Sequence, residues 1–79
     1  MPNLDYEVAC QAIGQLIAHA VTTIADEEQK ATPDQARLAN ALSARQTLVA
    51  ARDALAHDDL PAIAATLTLY GPTARRLNG

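Results

Sequence analysis

The chain has 79 residues, a net charge of −3, and 49% hydrophobic residues with neither Phe nor Trp. That length allows one domain with a marginal core, and one cysteine, Cys10, excludes an intrachain disulfide or a multi-cysteine zinc site. An acidic chain with six basic residues also lacks the electrostatic footprint of a nucleic-acid binder.

Residues 1–79 read as a single all-α domain of three helices in an up-down arrangement, two long and one short. The first helix is expected over about 4–26. At ~100° per residue, Tyr6, Ala9, Cys10, Ile13, Leu16, Ile17, Ala20, Val21 and Ile24 fall on one arc, with Glu7, Gln11, Gln15, His19 and Thr22 opposite. Gly14 lies at the edge of that arc. Asp26, Glu27 and Glu28 oppose the macrodipole at the helix end and are read as a solvated turn or an acidic docking patch.

The second helix is expected over about 33–57. Thr32-Pro33-Asp34-Gln35 has the form of a capping box, with Thr32 as N-cap and Pro33 in the first helical position. Two apolar stripes run along it, Leu38, Leu42, Val49 and Ala56 on one side and Ala41, Ala44, Leu48, Ala51 and Leu55 on the other, with Arg45 and Arg52 between them. Such a helix touches two neighbours at once. The third helix is expected over about 60–70, started by an aspartate cap and stopped by Gly71-Pro72. The tail 72–79 then carries Arg75 and Arg76.

A short third helix covers about half of what the long hairpin leaves open, and a soluble monomer rarely keeps such a seam exposed. The expected remedy is a second copy, giving a homodimeric helical bundle through Leu38, Leu42, Leu48, Val49 and Leu55. The charge distribution is complementary, to be paired within one chain or head to tail between two: five acids and no Lys or Arg precede Lys30, and six basic residues face four acids from there on.

No nucleophile–base pair, metal-ligand spacing or glycine-rich phosphate loop stands out, so neither catalysis nor a cofactor is expected. The expected function is that of a non-catalytic protein-binding module, an adaptor or an inhibitor of a larger complex. Candidate partner-binding residues are Asp26, Glu27, Glu28, Arg45, Arg52, Arg75 and Arg76. Two alternatives stand beside it. One is a phage- or plasmid-type inhibitor of a bacterial defence system, as anti-CRISPR proteins are, an analogy of size class that rests on no motif. The other is a small DNA-binding regulator, disfavoured because Pro61-Ala62-Ile63-Ala64-Ala65-Thr66 offers nothing that reads base edges.

The opening Met1-Pro2-Asn3-Leu4-Asp5 lacks the basic and apolar regions of a secretory signal. No uninterrupted apolar run approaches the ~20 residues of a membrane span. Location in the cytoplasm, away from membranes, is therefore expected, and a single cysteine suits a reducing compartment.

Overall fold

The computed structural model describes residues 4–78. Met1–Asn3 of the opening segment and Gly79 of the expected tail lie outside them. The described residues form three helices, α1 (Leu4–Glu28), α2 (Gln35–Ala54) and α3 (Leu60–Asn78), with no strand among them. Both α2 and α3 pack on α1, while their own backbones stay apart. The molecule is correspondingly elongated, 51 × 26 × 17 Å.

Helix α1 is the shared packing surface, and this sets which of its residues are inside. Ala9, Ala12, Ile13, Leu16, Ala20, Thr23, Ile24 and Glu27 are buried. At ~100° per residue these positions span an arc of about 120° centred near Ala9 and Ala20. The expected arc was centred further round, toward Cys10, Ile17 and Val21. The observed one turns toward Ala12 and Thr23, because α3 claims a flank that a two-helix seam leaves to solvent. Ile17 and Cys10 are accordingly half-buried, and Val21 is 46% exposed. The core proper joins Ala9, Ile13 and Leu16 of α1 to Leu48, Leu55 and Ile63. Each large aliphatic side chain buried there contributes about 1.5–3 kcal/mol. The alanines contribute less area but let the helices approach closely.

By length and mean hydropathy (1.4 over its most apolar window), α1 is long and apolar enough to cross a membrane, a test that the core helix of a globular protein also passes. The sequence reading, which looked for an uninterrupted apolar run, missed this. Alanine and isoleucine raise the average while Gln11, Gln15 and His19 break the run. In this fold the apolar arc of α1 is occupied by α2 and α3.

The helix boundaries depart from expectation at three places, each for a local reason. Helix α2 starts two residues later than the Thr32-Pro33 signature implies. Its N-cap is Asp34, in extended conformation (φ −76°, ψ 103°), and the Asp34 carboxylate accepts from the Arg37 N–H at 3.0 Å. The Asp34 N–H donates in turn to Glu27 Oε1 at 2.8 Å, so the cap residue is held from both sides. At its other end α2 stops at Ala54, and the Leu55 N–H closes the last turn on the Arg52 carbonyl at 3.3 Å. Leu55 leaves the helix in extended conformation and enters the core. Ending there sends a large side chain inward where another helical turn would carry it past.

The third departure is the largest. Helix α3 does not end at Gly71-Pro72; it continues through both to Asn78, so its 19 residues span about 28 Å rather than the expected ~16 Å. Proline disfavours a helical residue before it partly by clashing with that residue's Cβ. Gly71 has no Cβ, which removes that part of the clash, and no residue of the described chain has positive φ. Pro72 itself is exposed and forfeits one helical hydrogen bond on an outward face. The start of α3 is capped as expected, with Asp59 Oδ1 accepting from the Ala62 N–H at 3.1 Å. A longer α3 covers α1 along most of its length, which narrows the seam expected to stay open on α1.

This continuity makes Gly71 a discriminating position. Apart from Pro72 beside it, a Cβ added there meets the Arg75 Nη1 at 3.8 Å, an ordinary contact with a movable side chain. Gly71→Ala restores the Cβ clash with Pro72 and is therefore expected to destabilise the protein. The same change in a Pro72→Ala background is expected to stabilise it by about 0.5–1 kcal/mol, the usual gain in a helix interior, both read by urea denaturation. A helix that ended at Gly71 in left-handed conformation would lose stability on Gly71→Ala in either background.

Candidate functional site

Because α2 and α3 both lean on α1 without meeting, an open groove of about 600 Å³ runs between them. Its floor is Leu16 and Ala20 of α1 with Ala41 and Leu48 of α2, all buried in the core or at its edge. Asn40, Ala44 and Thr47 form the α2 rim, and Leu69, Tyr70 and Thr73 form the α3 rim. Leu69 is 65% exposed, among the most exposed large apolar side chains in the protein. The lining holds Arg37 and His19 and no carboxylate.

The residues of the groove follow from helical spacing. Ala41 and Leu48, seven apart, point at α1, as does Leu55 one heptad on. Arg37, Asn40, Ala44 and Thr47 occupy the flank of α2 that turns toward α3. Alanine and threonine along this flank leave space where larger side chains would fill it.

At one end the groove is anchored by Glu27, whose side chain is fully buried. One oxygen, Oε2, accepts from Lys30 Nζ at 2.6 Å and from Arg37 Nη1, while Oε1 takes the Asp34 N–H. The Lys30 ammonium, the Asp34 N–H and the Arg37 guanidinium together hold the Glu27 carboxyl down at about 2, against the pull of desolvation in the opposite direction. With the Asp34 carboxylate on the Arg37 N–H, two cations meet two anions here and the cluster is close to neutral. The outer faces of Lys30 and Arg37 remain half exposed. At the same end Arg76 Nη2 donates to Thr73 Oγ1 at 3.2 Å, bringing a third cation beside the rim.

The candidate residues read from the sequence are distributed very unevenly around this geometry. Glu27 is no part of an exposed acidic patch: it is a buried structural anion, while Asp26 and Glu28 on either side are exposed. The reason is periodicity, since Glu27 falls on the buried arc one heptad below Ala20. Arg45 and Arg52 lie on α2 away from the groove, with Arg52 Nε 3.8 Å from its neighbour Asp53. Arg75 lines a second, smaller concavity of about 430 Å³ with Val8, Ala12 and Gly71, on the opposite side of α3. Leu48 and Leu55, expected to mediate self-association, are buried in the core of a single chain and are not available for it. Leu38 and Val49 are half-buried, and Leu42 is 41% exposed.

The groove rims, His19, Asn40, Thr47, Leu69 and Thr73, were not singled out by the sequence reading. Asn40 and Thr47 share the heptad spacing of Ala41 and Leu48, and that offset pair is the signal that marks the flank. Thr73 lies beyond the expected end of α3 at residue 70, while Leu69 lies within the expected helix.

At the far end of α1, the Tyr6 and His57 rings meet edge to face, with centroids 6.3 Å apart and planes at 84°. The Tyr6 hydroxyl is raised above its ordinary range by its hydrogen bond and proximity to the half-buried Cys10 thiol. Among the described residues, no three His, Cys, Asp or Glu side chains cluster as metal ligands would. No protein family matches the chain, and no curated protein or solved structure is similar to it.

The Glu27 cluster has a measurable acid signature. Its folded pKa lies below the ordinary 4.5, so its contribution to stability is fully present above that value. It is lost as pH falls toward about 2. Thermal melts from pH 6 down to about 2 are expected to show Glu27→Gln destabilised at neutral pH, with its deficit against wild type shrinking at the acid end. A deficit that stays constant with pH contradicts the assignment.

Proposed function

We propose that this chain is a non-catalytic protein-interaction module, an adaptor or inhibitor, that receives an amphipathic helix of a partner protein in the groove between α2 and α3. The observation that carries this reading is the groove itself: three helices supply its floor and both rims, leaving the place of a fourth helix unfilled. A helix in such a groove buries an apolar stripe at i, i+3, i+4 and i+7 spacing. The exposed Leu69 then gains cover it lacks in the isolated chain. Charge narrows the partner further. With Arg37 and His19 in the lining, Lys30 and Arg76 near one end and no carboxylate in the lining, the favoured helix carries acidic residues along its flanks.

The same reading takes the helices to run up, down and up, and takes the module to self-associate as a helical bundle in the cytoplasm. Support for the first comes from the ends of α1, where Glu27 meets Arg37 near the start of α2 and Tyr6 meets His57 beyond its end. The single half-buried thiol suits a reducing compartment.

Ala44 sits exposed on the groove rim, so Ala44→Arg fills the groove without touching the core. Wild-type and Ala44→Arg proteins, immobilised side by side, are expected to differ in one retained protein, whose binding segment is helical and acidic. Binding should fall by at least about 1.4 kcal/mol, or tenfold, in the variant. Retention that is indifferent to Ala44→Arg, or a retained segment that is basic or extended, contradicts the proposal.

A further inference from the structure

A second surface lies on the opposite side of the α1–α2 pair from the groove. On α2, Leu38, Leu42 and Val49 point away from α3, and Arg45 and Arg52 lie between them and the buried Ala41–Leu48 line. On α1, the corresponding flank carries Cys10, Gly14, Ile17, Val21 and Glu28, with Glu7 at its outer edge. Apolar side chains of this surface are held half in and half out: Leu38, Val49, Ile17 and Cys10 are half-buried, and Leu42 and Val21 are 41% and 46% exposed. A Cβ added at Gly14 meets nothing within 4 Å, so α1 has open space beside its backbone there.

Charge separates this surface from the groove. A face that binds a copy of itself across a two-fold axis must carry both members of each pair it makes. The groove, with Arg37 and no carboxylate in its lining, does not meet that condition. The back of the hairpin does, because it presents Arg45 and Arg52 together with Glu7 and Glu28. Within the described chain Arg45, Glu7 and Glu28 form no ion pair, and Arg52 has only the adjacent Asp53 at 3.8 Å. The charges that a two-fold interface would use are thus left over by the fold. Size is sufficient too. Two helices side by side over about 30 Å present about 600 Å² each, so a symmetric contact covers about 1,200 Å² in total, above the ~1,000 Å² that a specific interface needs.

We propose that the occupant of this face is a second copy of the chain, packed hairpin to hairpin across a two-fold axis. The contact joins Leu42, Val21 and the gap at Gly14 in a four-helix layer, with an arginine of one copy, Arg45 or Arg52, meeting Glu7 or Glu28 of the other. It rests on the self-association proposed above and adds its location: the dimer forms behind the hairpin and leaves both α2–α3 grooves open, on opposite outer sides. One dimer then holds two partner helices at once.

The test is solution mass by light scattering behind a sizing column, from micromolar to millimolar protein, for the wild type and three variants. Gly14→Gln fills the open space on α1, Leu42→Asp places a charge on an exposed position, and Ala44→Arg obstructs the groove as a control. All three sites lie outside the core, and helical circular dichroism confirms that each variant is folded. The wild type is expected to approach twice its 8.3 kDa monomer mass. Gly14→Gln and Leu42→Asp should weaken the dimer at least about tenfold, Ala44→Arg should leave it unchanged, and salt raised from about 0.05 to 0.5 M should loosen it by screening the four charges. A wild type that stays monomeric to millimolar concentration overturns self-association altogether. A wild-type dimer that Ala44→Arg disrupts and Gly14→Gln does not overturns the assignment of this face alone, and self-association stands.

Discussion

Everything in this structure depends on α1 serving two helices whose backbones stay apart from each other. A chain this short, without Phe or Trp and rich in alanine, has little area to bury at any one contact. It meets that constraint by making one helix the common wall of both contacts. The buried arc of α1 then has to be broad, and it reaches from Ala12 on the α3 side to Ile24 on the α2 side. Because α2 and α3 lean outward from that wall, a groove between them is unavoidable. The groove is thus a consequence of how the core is built, and the proposed binding site follows from the same economy that stabilises the fold.

The Glu27 cluster is where this arrangement is locked. A carboxylate on the buried arc is costly unless its oxygens are satisfied, and here one oxygen takes Lys30 and Arg37 while the other takes the Asp34 N–H. The same contacts fix the turn, set the N-cap of α2 and orient Arg37 at the end of the groove. A side chain expected to face a partner therefore acts on the partner's site from beneath, through the guanidinium it holds.

Much of the fold was legible because helical periodicity is a strong signal over long segments. The three helices and the aspartate cap of α3 follow from spacing and cap chemistry alone. What escaped the sequence depended on contacts between segments. Thr32-Pro33 has the form of a cap, yet Asp34 wins because Glu27, seven residues back, holds its N–H. Gly71-Pro72 has the form of a stop, yet glycine removes the Cβ clash that a proline imposes on the residue before it. With α3 cut short, coverage of α1 was underestimated. Leu48 and Leu55 were then assigned to a dimer although one chain already buries them. The groove was illegible in part for the same reason: Thr73, one of the three residues of its α3 rim, lies beyond the supposed stop.

The central claim is that α1 is the common support, and amide hydrogen exchange resolved by residue tests it most directly. Amides on the buried arc of α1, from Ala9 to Ile24, are expected to be the slowest in the molecule and to exchange only on global unfolding. Those of α2 and α3 should open earlier, each with its own denaturant dependence, since neither braces the other. Amides of α1 that exchange ahead of those in α2 or α3 would contradict the account and place the organising contact elsewhere.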